Sequence, residues 1–150
     1  MNVLLVRVRG SRFGIPSDLV VELIRAVAVS PLPGAPAVIS GVINVRGSLT
    51  PVIDPAVRFG QKEEPVKPSD NFVLVAMPSR IVALRVDSAD DLEEIDDADI
   101  RTAESVSSTA TRLAGVATLA DGLVVIYDPA SFLDEAENLA LADALAIAGT

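Results

Sequence analysis

The chain is written in short apolar runs. Val, Ile, Leu and Phe fill stretches of four to seven residues, and Gly, Pro, Ser or Asp closes each one, which is the pattern of short antiparallel strands joined by tight turns. Four segments read as hairpin turns: Arg9-Gly10-Ser11-Arg12, Arg46-Gly47-Ser48, Pro78-Ser79-Arg80 and Ala120-Asp121-Gly122. The last holds the Asp-Gly pair suited to a two-residue connection. Alternation is imperfect, since Val3 to Val6 and Val124 to Tyr127 are apolar on both sides, as strands covered on both faces would be. After the turn expected at Pro16-Ser17-Asp18, the branched run Val20-Val21-Glu22-Leu23-Ile24-Arg25 predicts another strand, half in the core, with Glu22 pointing outward.

Helices are few. Asp54-Pro55 and Asp128-Pro129 each pair a carboxylate that can accept from free first-turn amides with a residue of helical φ, so each predicts one helical turn. Beyond Phe132 the chain is rich in Ala and Leu, and the spacing of Leu139, Ala142, Leu145 and Ala146 predicts one substantial helix over residues 134–147, stopped by Gly149. Residues 60–70 lack apolar periodicity and read as an exposed link.

One pattern occurs twice. Residues 41–56, GVINVRGSLTPVIDPA, align without gaps to residues 115–130, GVATLADGLVVIYDPA, with six of sixteen positions identical. The opening repeats more loosely, Val3 to Ile15 being answered by Phe72 to Val86. Two similar lobes follow. At 150 residues the chain predicts a single unit, with lobe 1 over about 14–70 and lobe 2 over about 71–133 plus the N-terminal strands packing nearby.

Composition narrows the chemistry. With no Cys and no His, disulfides, thiolate nucleophiles, imidazole bases and nearly every transition-metal site are excluded. The net charge of -9 is uneven: residues 1–60 hold six bases and three acids, and residues 61–150 hold six bases and eighteen acids. An acidic chain with one Tyr and no Trp lacks the basic stripe and stacking platform of a nucleic-acid binder. No apolar run approaches the roughly 20 residues of a membrane span. A soluble, cytoplasmic protein that inserts in no membrane is therefore expected.

Three clusters could carry chemistry. Asp54 and Asp128 are related by the repeat, as the carboxylates of a two-lobed aspartic protease would be, but Pro-Ala follows each where such a loop needs a small hydroxyl and a Gly; helix capping accounts for them. The run from Asp87 to Asp99 holds eight acids and no base, yet no calcium-loop spacing can be drawn through it, so a solvated face or an acidic margin is expected. Gly41, Asn44, Arg46 and Gly47 are the third cluster. The second copy keeps Gly115 but has Thr118 and Ala120 for the Asn and the Arg, so the fold does not require them. An arginine held on a rigid hairpin can serve a partner.

The order GSRFGIPSDLVVELIR, SPLPGAPAVISGVINVRGSLTPVIDPAVRFG and AGVATLADGLVVIYDPASFL resembles the CheW family over nearly the whole chain. The resemblance implies a mainly β fold: two SH3-like five-stranded β-barrel subdomains around a shared hydrophobic core, with short helical turns and a C-terminal helix. It also implies a non-catalytic adaptor without cofactor or metal, peripheral to the membrane through receptor arrays. Its partners would be the regulatory domain of the histidine kinase CheA and the cytoplasmic tip of methyl-accepting chemoreceptors. By motif, the receptor contacts would be Val20, Glu22, Gly41 and Arg46, with Ala89 and Asp91 at the corresponding edge of lobe 2. The kinase contacts would be the hairpin ends at Gly47, Ser48 and Gly122. Departures are the small Ala89 and the heavy acidic run. The same fold could instead serve a chemosensory output such as pili or gliding, or, in a different class, bind a small ligand or hydrolyse a substrate with Asp54 and Asp128.

Overall fold

A computed structural model describes residues 1–102 and 113–149. Eleven strands are described: β1 (Asn2–Val8), β2 (Ser11–Pro16), β3 (Val20–Arg25), β4 (Ile39–Val45), β5 (Ser48–Ile53), β6 (Asn71–Ala76), β7 (Ile81–Val86), β8 (Ser88–Glu94), β9 (Ile100–Thr102), β10 (Leu113–Leu119) and β11 (Gly122–Tyr127). They form two sheets, β3-β6-β7-β5-β4 in lobe 1 and β8-β1-β2-β11-β10-β9 in lobe 2. These are the two SH3-like barrel subdomains. Lobe 2 adds the short β9, whose counterpart in lobe 1 shrinks to a single bridge between Ser30 and Val42.

The sheets divide the chain differently from its linear order. Each lobe is completed by the opening hairpin of the other half: β6 and β7 pair with β3 and β5, while β1 and β2 pair with β8 and β11. A boundary near residue 71 therefore does not separate the lobes, because residues 71–86 belong to the lobe 1 sheet. The parallel pairs β5–β7 and β2–β11 need long crossovers, and the exchange supplies them.

The exchange also explains the runs that fail to alternate. Along β1, Val3 and Leu5 face a core inside lobe 2, and Leu4, Val6 and Val8 face the core between the lobes. Along β6, Phe72 and Leu74 fill lobe 1, and Val73 and Val75 join the same central core. Each fully buried side chain of this size contributes about 1.5–3 kcal/mol.

The repeat is kept residue by residue. β4 and β5 recur as β10 and β11 at an offset of 74 (113 - 39 and 122 - 48), with a register shift just before Gly41 and again just before Gly115. Asp54 and Asp128 each accept the amide two residues on, at 3.0 Å, and so cap α1 (Pro55–Arg58) and a 3-10 turn at Pro129–Phe132.

Helix α2 (Glu135–Ala148) follows. It opens on a capping box in which Asp134 Oδ1 accepts the Glu137 amide and Glu137 Oε1 accepts the Asp134 amide. The Arg58 guanidinium donates to the Glu137 carboxylate and, at 3.0 Å, to the Phe132 carbonyl, so α1 anchors the start of α2. The buried face differs from the expected one: Leu141 and Ala144 enter the central core, whereas Leu139, Ala142 and Ala146 are exposed. Ala and Leu occupy so many positions here that the apolar pattern carries no phase.

The link over residues 60–70 is pinned as well as exposed. It makes no strand pairs, and the buried Arg85 guanidinium donates to the Glu64 carbonyl (2.6 Å), the Pro65 carbonyl (2.8 Å) and Asp70 (3.1 Å). Side-chain donors thus replace a ladder for these carbonyls.

Four of the five aromatic side chains, Phe13, Phe59, Tyr127 and Phe132, meet at ring separations of 5.2–6.2 Å. Burial in this cluster raises the pKa of Tyr127 above the usual phenol range. Because the folded-state value is raised, the neutral ring stabilises the fold below the unfolded-state pKa, and that contribution is lost as pH rises through the folded value. Tyr127 is the only tyrosine, so ultraviolet phenolate absorbance reports it alone. A titration midpoint above that of the urea-unfolded chain is expected; coincident midpoints would contradict the packing.

Candidate functional site

The edge strands β3 and β8 set the surface chemistry of the two lobes. In β3, Val20, Glu22 and Ile24 lie on the covered side, while Val21 and Leu23 are 52% and 48% exposed. Glu22 therefore does not point outward as the sequence suggested. A bulge between Val20 and Glu22 sets Val20 opposite Val75, on the central core, and Glu22 opposite Leu74, on the lobe 1 side. The inward carboxylate is met by Arg46, whose Nη2 donates to both oxygens at 2.6 and 2.9 Å. This pair joins the first strand of the lobe 1 sheet to the hairpin of the last, closing the barrel end.

Arg46 and Gly47 both have left-handed φ, +49° and +87°, which is the backbone of a type I′ turn. Asn44 Oδ1 accepts the Gly47 amide at 2.7 Å and fixes the turn. The polar residues that stand out in the sequence thus act together, Asn44 holding the hairpin tip and the tip presenting Arg46. Around them is a concavity of about 430 Å³ lined by Val21, Val45, Leu49, Ile81 and Leu145, among others. Val21, Leu49 and Ile81 are each about half exposed, and neighbouring large aliphatics left in water mark a docking surface. Val21, Leu49, Ile81 and Leu145 were not selected from the sequence as site residues. For Val21 and Leu49 the signal lies in β3 and β5, strands with an apolar residue on the solvent side.

The sequence-selected residues fall in four places. Glu22, Arg46, Gly47 and Ser48 share the lobe 1 end, so the expected receptor and kinase groups adjoin there. Val20 and Ala89 are equivalent by the repeat and both pack on the rim of the central core. Asp91 and Gly122 lie at the end of lobe 2, on β8 and at the start of β11. Gly41 is elsewhere: it is buried, five residues along β4 from Arg46, where a β-carbon would overlap the Ser30 carbonyl oxygen and lie 2.7 Å from Val29 Cγ1. Its glycine is required inside the fold.

The end of lobe 2 is charged where that of lobe 1 is apolar. Its concavity of about 370 Å³ is lined by Leu5, Leu119, Arg7, Arg12 and four acids. Arg12 binds Asp121 through two 3.0 Å hydrogen bonds, and Arg7 binds Asp90 at 2.7 Å. The Arg12 guanidinium lowers the pKa of Asp121. Stability from that pair is present above the unfolded carboxyl's pKa and lost as pH falls through the lowered one.

Asp54 is 2% exposed, and its free oxygen lies 3.5 Å from Arg85 and 3.6 Å from Arg9. Asp128 is exposed and only caps. The two carboxylates thus occupy unlike environments: both cap, and Asp54 also pairs with Arg85 and Arg9. Among the described residues no group of three or more acidic side chains is arranged to hold a metal ion, and no helix is long and apolar enough to cross a membrane.

The fold is a duplicated two-barrel one with exposed apolar and charged groups on sheet edges and hairpin tips. Comparison with known proteins makes this specific: residues 2–137 match the model of the CheW-like domain, and the chain belongs to that family. It is 34% identical to Chemotaxis protein CheW of Rhizobium meliloti (strain 1021) over 55% of this chain and 54% of that protein. The Probable chemotaxis protein CheW of Rhizobium etli is 30% identical over 71% of this chain and 70% of its own length. Protein FrzA of Myxococcus xanthus is 36% identical over 63% and 59%. The chain thus spans little more than half of the first and third of these relatives. In fold it is similar to the scaffolding protein TtCheW from Thermoanaerobacter tengcongensis, with a TM-score of 0.80 over 91% of this chain and 94% of that one, at 24% identity.

Proposed function

We propose that the chain is a non-catalytic cytoplasmic adaptor that couples the tip of methyl-accepting chemoreceptors to the regulatory domain of the histidine kinase CheA. The observation that carries the reading is the lobe 1 end, where half-exposed Val21, Leu49 and Ile81 surround an arginine held in place by Glu22. A helical hairpin tip offers an apolar stripe with polar edges, which such a surface can take. Val20 and Ala89, on the rim between the lobes, extend that contact. Gly47, Ser48 and Gly122 at the hairpin ends are assigned to the kinase.

Arg46 is 72% exposed, so its pair with Glu22 contributes at most about 1 kcal/mol to stability. Its value is in orienting the guanidinium. Arg46→Ala is expected to weaken binding of a receptor-tip fragment at least tenfold, about 1.4 kcal/mol, with the melting temperature and the affinity for the CheA regulatory domain unchanged. Calorimetric titration of the purified protein against each partner measures both. Folded protein that binds neither would defeat the proposal.

A further inference from the structure

One arginine at the lobe 1 end is left without an acceptor. Arg80 closes the turn between β6 and β7, its carbonyl taking the Met77 amide at 2.8 Å just beyond the last ladder pair, Ala76 with Ile81. Its side chain lines the same concavity of about 430 Å³ as Arg46. The Nε is buried with no hydrogen-bond partner, and the guanidinium makes no ion pair among the described residues. The other partly or fully buried arginines described, Arg9, Arg12, Arg58 and Arg85, all meet a carboxylate. A donor withdrawn from water with no acceptor is destabilising.

The turn itself does not require this arginine, since the residue 69 positions earlier, in the matching hairpin of lobe 2, is Ser11. That hairpin carries its arginine one position on, at Arg12, and Asp121 binds it at 3.0 Å. The residue 74 positions before Asp121 is Gly47, so lobe 1 supplies no such acid. Both charged residues lining the concavity are arginines, and no carboxylate lines it; the charge of Arg46 is answered by Glu22. One positive charge therefore stands uncompensated beside half-exposed Val21, Leu49 and Ile81, in a chain whose net charge is -9.

We infer that Arg80 receives a carboxylate carried within the apolar stripe of the receptor tip, and so selects which helical hairpins the lobe 1 end accepts. The inference rests on the adaptor reading and adds the charge that the receptor must bring. A planar fork at the margin of an aliphatic surface suits a carboxylate. A tip with no acid there would cover the guanidinium unpaired, and a tip with a base would be repelled. The acidic remainder of the chain repels the same carboxylate, which directs the tip to this end.

Calorimetric titration of the full chain with a receptor-tip fragment tests this in Arg80→Gln, Arg80→Met and Arg80→Lys. The first two should weaken binding at least tenfold, and Arg80→Lys, which keeps the charge, should lose less. Wild-type affinity should fall more steeply with added salt than that of Arg80→Gln. Melting temperatures of Arg80→Gln and Arg80→Met should be no lower than that of the wild type, because an unpaired donor is removed. Changing the acidic residues of the fragment to their amides one at a time should find one whose effect disappears in Arg80→Gln. Binding that survives the loss of charge, or no acidic residue coupled to position 80, would overturn the inference and leave the adaptor reading standing. Weaker binding with lowered melting temperatures in all three variants would mark Arg80 as structural and overturn it too. So would a loss of affinity for the CheA regulatory domain in place of the receptor tip, which would give the site to the kinase. A wild type that does not bind the fragment would sink the inference together with the receptor half of the adaptor reading.

Discussion

Gly41→Ala is expected to lower the unfolding free energy by about 4 kcal/mol. At φ +153° the backbone adopts a conformation that L side chains rarely reach, and an added β-carbon runs into the Ser30 carbonyl. Relief requires the Ser30 segment to withdraw, which breaks two hydrogen bonds: Ser30 N–H to the Val42 carbonyl at 2.9 Å and Val42 N–H to the Ser30 carbonyl at 2.8 Å. Backbone strain of about 1–3 kcal/mol and two bonds of about 1 kcal/mol each give the total. Gly47→Ala is the control. Its φ is also positive, but nothing lies within 4 Å of the added carbon, so a loss of about 1 kcal/mol is expected. Urea unfolding followed by circular dichroism measures both, and equal losses would refute the close-approach argument. In consequence, a bulky residue at position 41 cannot test receptor docking, since loss of fold would precede loss of contact.

The same glycine shows what the sequence could and could not reveal. Its recurrence as Gly115 was visible, and the structure explains it: in lobe 2 a β-carbon would sit 2.7 Å from the Arg101 carbonyl, the counterpart of Ser30. The reason was not visible, because it depends on a crossing segment distant in sequence. Strands, hairpins, both caps and the extent of α2 were legible, being set by local patterning and capping chemistry. The hairpin exchange was not. Which sheet β6 and β7 join is decided by long-range pairing with β3 and β5, and the apolar faces of the two opening hairpins are alike. The inward turn of Glu22 was hidden by a one-residue bulge, to which period-two reasoning is blind. In α2 the opposite problem arose, an excess of apolar positions. For the site, the asymmetry between Arg46 and Ala120 was readable and remains its most informative feature.

Arg85→Met is expected to cost roughly 3–5 kcal/mol, a fall in melting temperature of roughly 10 °C for a domain of this size. Arg85 is 7% exposed, and Asp70 beside it is 5% exposed. The repeat shows that the fold does not demand this arginine, since the equivalent position 69 residues earlier is Pro16. What demands it is the link. Residues 61–69 lack ladder partners, and Arg85 alone supplies donors to the Glu64 and Pro65 carbonyls while neutralising Asp70. Methionine keeps much of the volume but leaves a buried carboxylate without its strongest counter-charge and two carbonyls without donors. Asp70→Asn removes that charge and keeps an oxygen for the Lys67 amide, which Asp70 accepts at 2.9 Å. The double variant should therefore lose less than the sum of the single variants, by about 1–3 kcal/mol. Hydrogen exchange at Ala26, whose amide donates to the Asp70 carbonyl at 3.0 Å, should accelerate in Arg85→Met beyond what global destabilisation explains. Strict additivity with uniform exchange would mean that the link is held by its prolines and not by the arginine.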